Sequence, residues 1–145
     1  MDNLQTNVTF LVTDSYYLCK ISEHFKLSEL LQTSQGDRYQ DANYSSFRFQ
    51  HAKNLIRLSL VLEALRRFLG DTALVINSGF RSPLLNARVG GAPKSYHLYG
   101  CAADIRIVPT ERVLNYLNSL KSLGILAEVI AHDTYIHISI PAYDI

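Results

Sequence analysis

The sequence predicts one α+β domain in which helices pack on an antiparallel sheet. Three observations predict it. A long amphipathic run from about Gln50 to Leu69 places Leu58, Val61, Leu62, Leu65, Phe68 and Leu69 at helical spacing, with Arg57, Glu63, Arg66 and Arg67 on the other side. Two strand-like runs near the C-terminal end, Ile125 to Ala131 and Thr134 to Ile140, are separated only by His132-Asp133, the pattern of a hairpin. Helices come first and mixed strands and helices follow, an order that suits an antiparallel sheet. The length of 145 residues fits a single domain with one sizeable core.

Taken in order, Phe25 to Leu31 reads as a short helix after a Ser/Glu-rich start. Gln35 to Asn43 is polar, carries one Gly, and reads as a loop. The long helix then stops at Gly70. Ala73 to Asn77 is a short apolar strand. Ser82-Pro83 pairs an N-cap with a proline at the first helical position and opens a helix that ends at Gly90-Gly91. Ala102 to Val108 alternates as a strand does. Thr110 caps a further helix whose apolar stripe is Val113, Leu114, Leu117 and Leu120, with Gly124 as its stop.

Charge excludes some function classes. Fourteen Lys and Arg against thirteen Asp and Glu leave a net +1, without the basic excess that a nucleic-acid footprint or a polybasic membrane surface needs. Two Cys are too few for a disulfide framework or a Cys-built zinc finger. No stretch approaches the ~18 apolar residues of a membrane span. The N-terminus lacks a charged start, and its apolar stretch, Val8 to Val12, is interrupted by Thr9, so no export signal is expected.

Strand alternation points to a cleft. In the last strand Ile136, Ile138 and Ile140 share one face, and Tyr135, His137 and Ser139 share the other. In the earlier strand Ala103, Ile105 and Ile107 face one way, and Ala102, Asp104 and Arg106 the other. If both strands belong to one sheet, Asp104 and His137 point into the same space. His97, seven residues before Asp104, completes a His/Asp/His set. Three such ligands with one open position suit catalytic zinc, which lowers the pKa of water toward ~7. On spacing alone this stands beside the plainer reading of core histidines and a strand-end carboxylate.

The wording of the segment goes further. Ser95-Tyr96-His97-Leu98-Tyr99-Gly100-Cys101-Ala102-Ala103-Asp104 resembles the S-x-H-x-x-G-x-A-x-D motif of the zinc D-alanyl-D-alanine carboxypeptidase family. That family includes vancomycin-resistance dipeptidases, phage peptidoglycan endopeptidases and the hedgehog signalling domain. Ser78-Gly79-Phe80-Arg81-Ser82-Pro83 is similar to its S-G-Y-R-S-P segment, Leu85 to Gly91 to its L-N-x-x-V-G-G, and Tyr135-Ile136-His137-Ile138-Ser139 to its W-V-H-V-S ending. Ser22 to Leu31 resembles the N-terminal segment of its small members. The motifs fall in the family's order between about Ser22 and Ile140.

The resemblance implies a zinc peptidase acting on peptidoglycan peptides, with His97, Asp104 and His137 as ligands. Arg81 and Ser95 match substrate-binding positions. A guanidinium is permanently charged and can bind a carboxylate through two N–H groups. His132 matches a histidine that stabilises the tetrahedral intermediate in some members. The family's general base, a Glu or Asp three or six residues before the last ligand, is replaced here by Thr134 or Ala131. Asp133 in the turn is the preferred substitute, Glu128 is another, and a site without a base is the third reading. The alternative function is a zinc-stabilised binding module. The expectation is a monomer, made in the cytoplasm and acting on the cell wall as a phage lysis or virion protein does, with no nucleic-acid or membrane partner.

Overall fold

The computed structural model describes residues 18–142. The N-terminal stretch read above for an export signal lies outside them. Helix α1 (Leu27–Leu31) is a single buried turn and a half. It contributes Leu27, Leu30 and Leu31 to the core. Helix α2 (Asp37–Ser46) replaces the loop expected at Gln35 to Asn43. It has no apolar stripe, and its buried residue is a polar one, Asn43. Side-chain hydrogen bonds fix it in place. Gln40 Nε2 and Asn43 Nδ2 both donate to the Leu31 carbonyl, each at 2.9 Å. Hydrophobic periodicity carries no trace of such a helix.

Helix α3 (Phe49–Phe68) confirms the long amphipathic run. Leu55, Leu58, Leu62 and Leu65 recur at intervals of three and four residues, so they line one side, and each is fully buried. Strand β1 (Val75–Ser78) follows. Helix α4 (Pro83–Arg88) starts as expected, with the Ser82 hydroxyl accepting from the Leu85 N–H. A short 3₁₀ turn (Tyr96–Tyr99), which the sequence did not announce, leads into strand β2 (Ala102–Arg106). Helix α5 (Glu111–Ser122) is capped by the Thr110 hydroxyl. Strands β3 (Glu128–Ala131) and β4 (Ile136–Ser139) form the hairpin.

The four strands lie in the order β1-β2-β4-β3, and every pair is antiparallel. The fold is therefore α+β. Ala103, Ile105, Ile136 and Ile138 turn to one side of the sheet and join the leucines of α1 and α3 in one buried cluster. The hairpin turn spans four residues, not two, because Ala131 pairs with Ile136. Its first N–H, from His132, closes on the Tyr135 carbonyl at 2.9 Å. A bulge between Ile76 and Ser78 brings Ser78 opposite Asp104. Among the described residues, no helix is long and apolar enough to cross a membrane.

Candidate metal centre

The face of the sheet away from the leucine core carries the polar residues. Strands β2 and β4 are hydrogen-bonded neighbours, and Asp104 stands directly opposite His137. Opposed residues of an antiparallel pair project to the same face, so both side chains enter one space. His97 reaches it from the 3₁₀ turn, whose first residues are held by the Ser95 hydroxyl accepting the His97 N–H at 3.2 Å. Asp104 Oδ1 lies 3.2 Å from His97 Nε2 and 2.9 Å from His137 Nδ1. One donor atom from each of the three residues lies within 4.8 Å of the others.

The surroundings decide what those atoms can do. His97 Nδ1 is 2.7 Å from the Gly79 carbonyl, which can only accept, so Nδ1 carries the proton. In the neutral ring Nε2 then presents a lone pair to Asp104. Burial is the largest influence on His97 and pushes its pKa below 6.5, against the carboxylate of Asp104. A neutral His97 thus aims a lone pair at a carboxylate oxygen at close range, an arrangement that a cation between them would relieve. Burial, the largest influence, would raise the Asp104 carboxyl, but the histidines packed against it, His137 foremost, outweigh burial and hold it well below the usual carboxylate range. Asp104 is therefore an anion wherever the protein is folded near neutral pH. Two imidazoles and one carboxylate form a donor set that suits zinc.

His137 is held from its other side. Burial would lower its pKa, but hydrogen bonds to Asp104 and Glu128 raise it. Its Nε2 lies 2.8 Å from Glu128 Oε1, and the same oxygen accepts from the buried Ser139 hydroxyl at 2.9 Å. Glu128 stands opposite Ser139 in the hairpin and so shares the face of His137.

Arg81 holds the remaining oxygen of Asp104. Its NH2 donates to Asp104 Oδ2 at 3.2 Å, its Nε to Ser78 Oγ at 3.1 Å, and its NH1 to Asn86 Oδ1 at 3.3 Å. The loop that carries Arg81 is laced to its neighbours through main-chain atoms. The Arg81 N–H donates to the His97 carbonyl at 3.0 Å, and the Phe80 N–H to the Leu30 carbonyl at 2.8 Å. Gly79 makes the second contact feasible, since a Cβ there would sit 2.6 Å from Leu30 O. Beneath the loop, Asn43 donates to the Phe80 carbonyl at 3.3 Å and accepts from the Ser82 N–H at 2.8 Å.

The structure thus brings His97, Asp104, His137 and Arg81 together, with Ser95 at the base of the turn that presents His97. His132 and Asp133 lie exposed in the β3–β4 turn. The His132 ring stacks on Tyr135 with centroids 4.2 Å apart and planes at 10°. Among the described residues, no hydrogen bond or ion pair joins the Asp133 side chain to the cluster; Glu128 is the hairpin carboxylate that touches it.

Residues 23–139 match the model of a family described as Peptidase M15. The chain belongs to the peptidase M15 family. A zinc D-Ala-D-Ala carboxypeptidase of Streptomyces albus G is 50% identical over 44 residues, which are 30% of this chain and 17% of that relative. The alignment therefore spans under a fifth of the length of the curated relative. This member of the M15 family carries its polar cluster on a sheet closed by a hairpin whose turn holds Thr134, neither Glu nor Asp, three residues before His137.

Proposed function

We propose that the protein is a zinc peptidase that hydrolyses peptidoglycan stem peptides, as a D-Ala-D-Ala carboxypeptidase or an endopeptidase. The observation that carries the reading is the convergence of His97 Nε2, Asp104 Oδ1 and His137 Nδ1 beside Arg81, in a chain of the M15 family. Zinc bound by His97, Asp104 and His137 would supply Lewis-acid polarisation of a peptide carbonyl and would lower the pKa of water toward ~7.

The chain's own groups do the rest. Three of the five N–H donors of Arg81 are committed to Ser78, Asn86 and Asp104, and these contacts aim the guanidinium. The two remaining donors are available to a substrate carboxylate or carbonyl oxygen. The Ser95 hydroxyl, on the loop leading to His97, is assigned to substrate as well. Hydrolysis adds water across the amide, breaks its C–N bond and leaves the proton on the departing amine. We assign that proton transfer to Asp133 in the β3–β4 turn, because Glu128 is already engaged by His137 and Ser139, and stabilisation of the tetrahedral intermediate to His132 beside it.

That engagement also supports a second reading, a zinc-stabilised module that binds wall peptide or a protein partner without cleaving it. Incubation with defined muropeptides, with and without chelator, separates the two by mass spectrometry. Loss of terminal D-Ala, or scission inside the stem, that chelator abolishes supports the peptidase. Unchanged muropeptides with the metal-loaded protein overturn it. Among the variants, Asp133→Asn tests the proton-transfer assignment, since loss of a general base typically costs about 10²–10⁴-fold in rate, and His132→Gln tests stabilisation of the tetrahedral intermediate.

A further inference from the structure

Glu128 stands at neither of the two positions, Thr134 and Ala131, where the resemblance places a general base, yet it is bound into the metal cluster by two short contacts. Its Oε1 accepts from His137 Nε2 at 2.8 Å and from Ser139 Oγ at 2.9 Å. Ser139 is fully buried and His137 half-buried, so the acceptor oxygen is held by two side chains of one strand, β4. The two nitrogens of an imidazole lie on opposite edges of the ring. Glu128 occupies the edge away from Asp104, while Nδ1 faces Asp104 and His97.

We propose that Glu128 is a positioning residue for the metal centre: it takes the Nε2–H of His137, which leaves the Nδ1 lone pair directed at the metal, and Ser139 holds it there. The inference rests on the reading of His97, Asp104 and His137 as a metal site. A neutral histidine has one N–H, and a carboxylate can only accept. Carboxylates face both ring nitrogens, Asp104 at Nδ1 and Glu128 at Nε2, so once a metal takes the Nδ1 lone pair the one N–H of the neutral ring is retained on Nε2, where Glu128 accepts it. The carboxylate also enriches the electron density of the ring and fixes its plane, the effect by which such outer partners strengthen metal–histidine bonds. The same tautomer logic governs His97, where the Gly79 carbonyl takes Nδ1–H and leaves Nε2 for the metal. The two histidines therefore bind through different ring nitrogens, each selected by an acceptor on its far edge.

The test is zinc affinity of the full chain, read by competition with a chromophoric chelator. Zinc alone is the ligand, with no peptide substrate. Glu128→Ala should weaken zinc about 10–100-fold, the range typical for loss of such a partner. Glu128→Gln keeps an acceptor oxygen for Nε2–H and should regain most of the loss. The metal-free melting temperature reports folding separately. If wild type binds zinc and Glu128→Ala binds it equally well, the positioning role is refuted while the metal site stands. Equal weakening by Ala and Gln also refutes it, because the acceptor would then not be the operative feature. If wild type itself binds no zinc, both the site and the inference fall. Should Glu128→Ala fold poorly, Ser139→Ala removes one support of the carboxylate and should weaken zinc in the same direction by a smaller factor; unchanged affinity there refutes the Ser139 part of the proposal.

Discussion

Replacing Asn43 by alanine should destabilise the protein by several kcal/mol and loosen the candidate site, although Asn43 is not part of it. Asn43 is fully buried. Its Nδ2 serves the carbonyls of Leu31 and Phe80, and its Oδ1 accepts from the Ser82 N–H. Truncation leaves Leu31 O satisfied, since Gln40 Nε2 still donates to it at 2.9 Å. The Phe80 carbonyl and the Ser82 N–H lose their side-chain partner. Each buried orphan costs about 1–3 kcal/mol, so the expected loss is about 2–6 kcal/mol. A central value of about 4 kcal/mol lowers Tm by about 8–16 °C in a chain of this size. Phe80 and Ser82 flank Arg81 in sequence, and Arg81 holds Asp104 Oδ2, so zinc affinity should fall along with stability. Urea denaturation of the metal-free protein measures the first effect, and chelator competition the second. Asn43→Asp should be at least as damaging, because it sets an acceptor against two carbonyl oxygens. A change within about 0.5 kcal/mol for Asn43→Ala, as for an ordinary surface substitution, would refute the reasoning.

Three further substitutions probe other parts of the account. Gly79→Ala puts a Cβ 2.6 Å from Leu30 O and 3.0 Å from Leu30 Cα, so backbone must move. It should cost about 1–3 kcal/mol by overpacking, and it should weaken zinc by shifting the carbonyl that holds His97; wild-type stability and affinity would contradict this. His51 lies among Phe47, Phe80 and Arg48, and burial, then the Arg48 charge, lower its pKa from 6.5 to about 4. The unfolded chain therefore takes up this proton at higher pH than the folded one, and stability should fall as pH drops from 6.5 toward 4. His51→Gln keeps an acceptor for the Arg48 N–H but does not titrate, and a pH series of melting temperatures should flatten in that window; an unchanged slope would exclude His51 as its source. Arg81→Lys cannot reproduce contacts to Ser78, Asn86 and Asp104 from one ammonium, and misplacing the cation should lower kcat/KM on a muropeptide by on the order of 100-fold. Full activity in Arg81→Lys would remove Arg81 from the substrate site.

The parts of the fold legible in the sequence are those where local chemistry and burial agree. Thr110 and Ser82-Pro83 cap helices as their types dictate, and the Ile alternation of β4 fixes which way His137 faces. The metal cluster was legible for the same reason: strand parity puts Asp104 and His137 on one face, and the Ser95-to-Asp104 wording supplies His97. Helix α2 was not legible because its anchoring is by Gln40 and Asn43 side chains, whose partners lie 7 to 39 residues away in sequence. The contact of Glu128 with His137 depends on the length of the hairpin turn. A two-residue turn would set Glu128 opposite His137, whereas the four-residue turn sets it opposite Ser139, on the same face but one pair further along. The supports of Arg81 from Ser78 and Asn86 depend on a bulge and a loop closure, for which the sequence carries only the glycines.

The central claim is that His97, Asp104 and His137 bind zinc through Nε2, Oδ1 and Nδ1 respectively. Anomalous diffraction at the zinc edge, from crystals of zinc-loaded protein, tests it most directly. The account predicts one strong peak at about 2.0–2.2 Å from each of those three atoms, with Glu128 still on His137 Nε2. A peak bound by His137 Nε2 and Glu128, or no peak within the cluster, would contradict it.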